Sequence, residues 1–208
     1  MASDKHSDRA GGGSGIARWE LRLSGTGGQG LMLAGLILAE AAGVMEGRQV
    51  VQTQSYGPES TGGAAKSDVI ISGEEILHTQ VARPDILLCL SQEACTKYAK
   101  NVRPGGTIFI DPLFVRDIPG EARGLKIVEI EATRKATELG RRVVANVVAL
   151  GALVAVTGVV SRQAIEAAVL ARAPKGTEDL NRRALQAGYE AVGAAAAASS
   201  SQEVSPRA

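Results

Sequence analysis

The sequence predicts an α/β fold, a doubly wound and mainly parallel sheet with helices on both faces and a helical C-terminal part. Three observations carry this. Short β-rich runs alternate with helical stretches of roughly 10 to 15 residues, the pattern of parallel strands joined by crossover helices. Hydrophobic residues make up 45% of the 208 and aromatics only 3%, so the apolar content is mostly Ala, Val, Leu and Ile. Such a core suits strands buried on both faces beneath small-residue helices, and its size excludes disorder as the main state. Finally, a glycine-rich turn stands between the first strand and the first helix.

The elements follow in order. Residues 1–17 (MASDKHSDRAGGGSGIA) are polar and glycine-rich and read as a disordered extension. Residues 18–193 form a single domain, and 194–208 read as a flexible tail. Trp19–Ser24 alternates like a strand and runs into glycines. Gln29–Ala42 is helical, with Gly43 as a stop signal. Strands are predicted at Arg48–Thr53, Lys66–Ser72, Asp85–Leu90, Thr107–Asp111 and Lys126–Glu131. Ser91 should cap a helix over Gln92–Asn101. Beyond Ala132 the pattern is helical, with Ser161 and Thr177 as N-caps and Glu178 and Asp179 suiting the dipole of the last helix.

Composition narrows the function. The 23 Lys and Arg nearly cancel the 22 Asp and Glu, and no basic stripe stands out, which argues against nucleic acid as a partner. The two cysteines, Cys89 and Cys95, and two histidines, His6 and His78, cannot complete a zinc site or an iron–sulfur site. No metal site is expected on this chain. Sparse cysteine without a signal peptide points to the cytoplasm. Cys89 reads as a core thiol, Cys95 as an exposed helix position without a histidine to activate it, and His78 as a surface residue. Val143–Val160 carries no charge over 18 residues, near the minimum for a membrane span of roughly 17 to 25. Its Ala, Gly, Asn146 and Thr157 dilute it, and Ala145, Ala149, Gly151 and Ala152 would let another helix approach closely. It reads as a buried packing helix, with Arg141-Arg142 at its solvated start or against an acidic partner face.

Gly25-Thr26-Gly27-Gly28-Gln29-Gly30 fits the G-x-G-x-x-G pattern of Rossmann-like domains and stands where that pattern must, after a strand and before a helix. Gly25 would allow the tight turn, Gly27 would let a ligand approach, and Gly30 would let the helix pack on the strand. Free N–H groups there suit phosphate or carboxylate. Dinucleotide binding also expects an acidic residue about 20 residues on, at the end of the second strand. That strand ends in Thr53, Gln54 and Ser55 with no carboxylate, which demotes the reading. Anion or interface binding and a purely packing role stay open. The other unusual stretch is Ser55-Tyr56-Gly57-Pro58-Glu59-Ser60-Thr61-Gly62-Gly63, expected at the same carboxyl edge of the sheet or as a plain solvated turn.

The two loops together resemble the gamma subunit of 2-oxoacid:ferredoxin oxidoreductases, in which a G-x-G-G-Q-G turn is followed by a Ser-Tyr-Gly-Pro-Glu loop and a Gly-Gly pair. Ser91–Ala94, Asn146–Gly151 and Asn181–Leu185 share the likeness, which spans roughly residues 19 to 192. The resemblance implies a complex that oxidatively decarboxylates a 2-oxoacid with coenzyme A, giving an acyl-CoA, CO2 and reduced ferredoxin. The wording TQSYGPE leans towards 2-oxoglutarate. Thiamine diphosphate with Mg2+ and the iron–sulfur clusters would sit on alpha, beta and delta or ferredoxin-like partners, none on this chain alone. The site residues carried over are Gly25–Gly30, Ser55, Tyr56, Gly57, Pro58, Glu59, Gly62 and Gly63, lining a coenzyme A channel or pressing on the partners, with no catalytic side chain. In one departure, Thr61 stands where the family commonly has Arg before the Gly-Gly pair. The fork of a guanidinium is lost there, and Lys66 is the nearby cation. The alternatives are a free-standing NAD(P)-dependent oxidoreductase and a purely structural assembly subunit.

Overall fold

A computed structural model describes residues 18–55 and 64–200. The expectations for residues 1–17, Tyr56–Gly63 and 201–208 fall outside it. All six strands are present: β1 Trp19–Gly25, β2 Gln49–Ser55, β3 Ala65–Ser72, β4 Ile86–Cys89, β5 Thr107–Ile110 and β6 Lys126–Glu129. They form one sheet in the order β2-β3-β1-β4-β5-β6. β1, β4, β5 and β6 pair in parallel, whereas β3 runs antiparallel to both of its neighbours. The chain between Ser55 and Ala65 is shorter than the dozen or so residues of a parallel crossover. β3 therefore returns beside β2 as a hairpin. The strand–helix alternation is broken there, again between β3 and β4, where no helix stands, and between β5 and β6, where only the 3-10 turn Gly120–Ala122 does.

The helices are α1 Leu31–Glu40, α2 Gln92–Tyr98, α3 Ala132–Glu138, α4 Ala145–Thr157, α5 Arg162–Arg172 and α6 Glu178–Ser200. Strand alternation divides the core between the two sheet faces. Leu21, Leu23, Val69, Ile71, Ile86, Leu88 and Phe109 meet α1, α3, α4, α5 and α6 on one face. Leu87, Cys89, Ile108 and Ile110 meet α2 through Ala94, Cys95 and Tyr98 on the other.

Several boundaries differ from the sequence reading. α1 begins at Leu31, because Gly28 and Gly30 take positive φ of 85° and 71° and keep Gln29 in the turn. It does not stop at Gly43 but continues as a π-helical turn over Ala41–Met45, and the left-handed glycine that follows is Gly47, at φ 66°. Ser91 and Ser161 cap α2 and α5 as expected, accepting from the N–H groups of Ala94 and Ala164. The Thr177 hydroxyl instead donates to Pro174 O and accepts from Asn181 Nδ2. α6 runs on through Ser200, past the tail boundary at Ala194.

The uncharged stretch from Val143 yields only the 13 residues of α4, buried from Asn146 to Val154 and closed by left-handed Gly158. Among the described residues no helix is long and apolar enough to cross a membrane. α4 is crossed by α6 at near backbone contact. A Cβ on Gly151 would overlap Leu185 O, and one on Gly188 would overlap Val148 O and stand 2.7 Å from Ala152 N.

Candidate functional site: the glycine turn and its cleft

The turn from Gly25 to Gly30 leaves the carboxyl end of β1 and is held by two side chains, Gln29 and Asn146. Gln29 Oε1 accepts from Thr26 N at 2.8 Å, and Gln29 Nε2 donates to Leu90 O at 2.6 Å, tying the turn to the end of β4. Gly25 has no room for a side chain, since a Cβ there would overlap Gln29 Oε1 and stand 2.7 Å from Leu31 Cδ1. Gly30 is pinned from α4: Asn146 Nδ2 donates to Gly30 O at 3.1 Å and would stand 2.6 Å from a Cβ. The glycine that lets α1 press on the sheet is Gly35, whose Cβ would overlap Ser67 Oγ, and not Gly30 as expected. Gly27 and Gly28 differ from these. A Cβ on either meets nothing within 4 Å, so the open side of the turn faces a cleft.

That cleft has a volume of about 640 Å3, within the range of small-molecule sites. Thr26, Gly27, Gly28 and Gln29 form one wall, and Ser91, Gln92, Phe114, Thr133, Arg142 and Val143 complete it. Sequence reasoning did not place the last six at the site. Ser91 and Gln92 follow β4 directly, and position after a parallel strand was the signal that could have found them. The Gln92 side chain holds the segment after β5, accepting from Arg116 N at 2.9 Å and Asp117 N at 3.1 Å. The Arg142 guanidinium lies 5.4 Å from the centroid of the Phe114 ring. Removing the Gln29 clamp by Gln29→Ala should cost about 1–2 kcal/mol in chemical denaturation, because Leu90 O loses its donor and Thr26 N its acceptor.

Of the second loop, only Ser55 is described. Ser55 pairs with Lys66, and Lys66 with Ser24, so β2 ends at the same edge as the glycine turn, two strands away. Lys66 is engaged below that edge, its Nζ 2.9 Å from Asp68 Oδ2. Glu93 Oε1 accepts from Ala64 N at 3.2 Å and fixes where the loop rejoins the sheet.

β3 also bears on the dinucleotide reading. In that arrangement the second strand lies beside the first, but here Ala65 of β3 faces Gly25 and is buried. The end of β2 is one strand too far out to present a carboxylate to a ribose at this turn.

Cys95 is buried, contrary to the exposed position expected, in the same apolar cluster as Cys89. Burial pushes the Cys89 thiol up. Two thiols inside the sheet–helix interface do not make the ligand set of a cluster that takes four. Among the described residues no three His, Cys, Asp or Glu side chains are grouped to hold a metal ion.

A family model described as pyruvate ferredoxin/flavodoxin oxidoreductase matches residues 20–191, most of the chain and all six strands except the first residue of β1. The chain belongs to that family. Among its members, a 2-oxoglutarate synthase subunit, KorC, from Methanocaldococcus jannaschii is 47% identical over 174 residues, covering 83% of this chain and 93% of that one. The solved gamma subunit of a keto/oxoacid ferredoxin oxidoreductase from Geobacter sulfurreducens is also 47% identical, with a TM-score of 0.79 and coverage of 86% of this chain and 98% of that one. The fold recurs inside a longer polypeptide of the oxidoreductase family, the 2-oxoglutarate:ferredoxin oxidoreductase from Magnetococcus marinus. There the TM-score is 0.75 at 23% identity, over 85% of this chain and 31% of that one.

Proposed function

We propose that this chain is the gamma subunit of a 2-oxoacid:ferredoxin oxidoreductase of the 2-oxoglutarate branch. In this reading it binds coenzyme A at the glycine-turn cleft and covers the active site of its partner subunits in the cytoplasm. The observation that carries the proposal is the open side of the turn. Gly25 and Gly30 are glycines for packing, but Gly27 and Gly28 face the cleft with open space where a Cβ would stand, and only at Gly28 does a positive φ of 85° itself call for glycine. Their lack of Cβ leaves backbone N–H groups accessible, and Arg142 adds a permanent positive charge to the same cleft. Such a site takes the phosphates of a nucleotide-bearing thioester carrier. The subunits that complete the complex would supply thiamine diphosphate, Mg2+ and iron–sulfur clusters, and with them the decarboxylation and the electron transfer to ferredoxin. This chain's own contribution is binding, orientation and exclusion of water. The KorC relationship carries the choice of 2-oxoglutarate.

The test is the complex itself, produced from this chain together with its thiamine-binding and ferredoxin-like neighbours. It should reduce a viologen dye in the presence of 2-oxoglutarate and coenzyme A. Gly27→Val should leave the fold of this chain intact, because a Cβ at Gly27 meets nothing within 4 Å, and should raise the KM for coenzyme A about tenfold (about 1.4 kcal/mol). An unchanged KM refutes the coenzyme A role. Dye reduction undiminished without this chain refutes the subunit role.

A further inference from the structure

The cleft at the glycine turn has a neighbour of different chemistry. Between α1, α4, α5 and the start of α6 runs a groove of about 420 Å3, walled by Leu33, Ile37, Val147, Val169 and Leu180. The two cavities share Val143, in the short 3-10 turn Arg142–Val144 that leads into α4. Val143 is 73% exposed and Leu33 is 41% exposed, so two apolar side chains of the groove face solvent. The arginines before Val143 divide: Arg142 lines the polar cleft, and Arg141 lines the apolar groove. Arg172 also lines the groove and pairs with Glu40. Arg141 has no carboxylate partner among the described residues. An apolar trough lined by an arginine without a carboxylate partner is the complement of an aliphatic side chain followed by a carboxylate.

We infer that this groove is a docking surface for a partner subunit of the same complex. The occupant is a segment that sets an aliphatic side chain between Leu33 and Val143 and a carboxylate against Arg141. Charge complementarity points to a protein surface, and the recurrence of this fold as about a third of a longer chain in the Magnetococcus enzyme points to a neighbour within the complex. Docking there leaves the polar cleft free, with Val143 as the ridge between the partner and the ligand. The inference rests on the subunit reading given above.

The experiment uses the full chain produced together with its partner subunits, with Arg141→Glu, Val143→Asp and, as control, Leu77→Asp. Leu77 is 77% exposed and lines neither cavity, so its substitution should leave assembly unchanged. Arg141→Glu and Val143→Asp should each weaken association at least tenfold by titration of the partners, while the melting temperature of the isolated chain stays as in the wild type. Normal assembly of both variants overturns this surface and leaves the subunit reading standing. Equal loss in the Leu77 control overturns it as well. A wild-type chain that fails to assemble sinks both. Two further outcomes also count against the proposal. One is a concentration-dependent dimer of the isolated chain that Val143→Asp dissolves, which would put a second copy in the groove. The other is intact assembly with only the KM for coenzyme A raised, which would put the ligand there.

Discussion

Gly188→Ala is expected to destabilise the domain by about 3 kcal/mol, the upper end of the usual cost of overpacking a core. For a domain of this size that is a fall in melting temperature of roughly 6–12 °C. The new methyl carbon would overlap Val148 O and stand 2.7 Å from Ala152 N and 3.0 Å from Gly151 Cα. All three are backbone atoms of α4, and a helix backbone cannot turn aside as a long side chain can. The two helices must separate, and the apolar contacts of Ala184 and Leu185 with the main core are opened in consequence. Gly151→Ala makes the same demand from the other side, through Leu185 O. Gly193→Ala, in the same helix α6, is the internal control. A Cβ there meets nothing within 4 Å, so the intrinsic preference of helices for alanine should raise stability by up to about 1 kcal/mol. Thermal melts of the three variants check the whole pattern. Equal effects at Gly188 and Gly193 would show that helix propensity, not the crossing, governs this region.

One partner of that crossing was legible in the sequence and the other was not. Gly151 lies in a run of small residues on an uncharged segment, and that composition announces close approach. Gly188 lies in an ordinary amphipathic helix, where nothing local distinguishes it from Gly193. All six strands were readable, because their β-branched runs and flanking turns are local signals. The reversal of β3 was not, since the choice of neighbour depends on pairing across the sheet. The glycine turn shows the same division. Its place between β1 and α1 could be read from spacing, but the duty of packing α1 on the sheet falls to Gly35, through contact with Ser67 from a strand 32 residues later. The burial of Cys95 likewise follows from which face α2 turns to β4. At the site, the glycines could be listed from the motif, whereas Arg142 and Val143 could not, because α4 comes to the turn from far along the chain. Asn146, whose amide pins Gly30 O at 3.1 Å, lies 116 residues away.

The other large effect concerns charge, and again partners distant in sequence. Asp68→Ala should cost about 3–5 kcal/mol, the range for breaking a buried ion pair from one side. Arg22 and Asp68 face each other in register across β1 and β3, each 4% exposed. Arg22 Nε and Nη2 donate to the two carboxylate oxygens at 2.7 and 2.8 Å, and Nη2 also donates to Val81 O at 2.6 Å. The guanidinium lies 4.9 Å from the centroid of the Tyr98 ring. Remove the carboxylate and a full positive charge stays in this enclosure with one carbonyl and one aromatic face to hold it. Arg22→Met should cost less, because Asp68 keeps Lys66 at 2.9 Å and Lys66 is partly exposed. The double variant Arg22→Met, Asp68→Leu buries no charge, and it should recover most of the loss, as apolar replacements of buried pairs commonly do. A double-mutant cycle by urea denaturation measures the coupling, and a value under about 0.5 kcal/mol would show the pair to be independent. The cycle also bears on the site. Asp68 holds Lys66 along β3, one residue past the strand's first position and opposite Ser55, so any variant lacking Asp68 frees a cation at the edge where the second loop leaves the sheet. Thr61 gives that loop no guanidinium. On the proposed coenzyme A role, an assembled complex carrying the double variant should therefore show a lower KM for coenzyme A if Lys66 can reach the anion, and an unchanged KM if Lys66 takes no part.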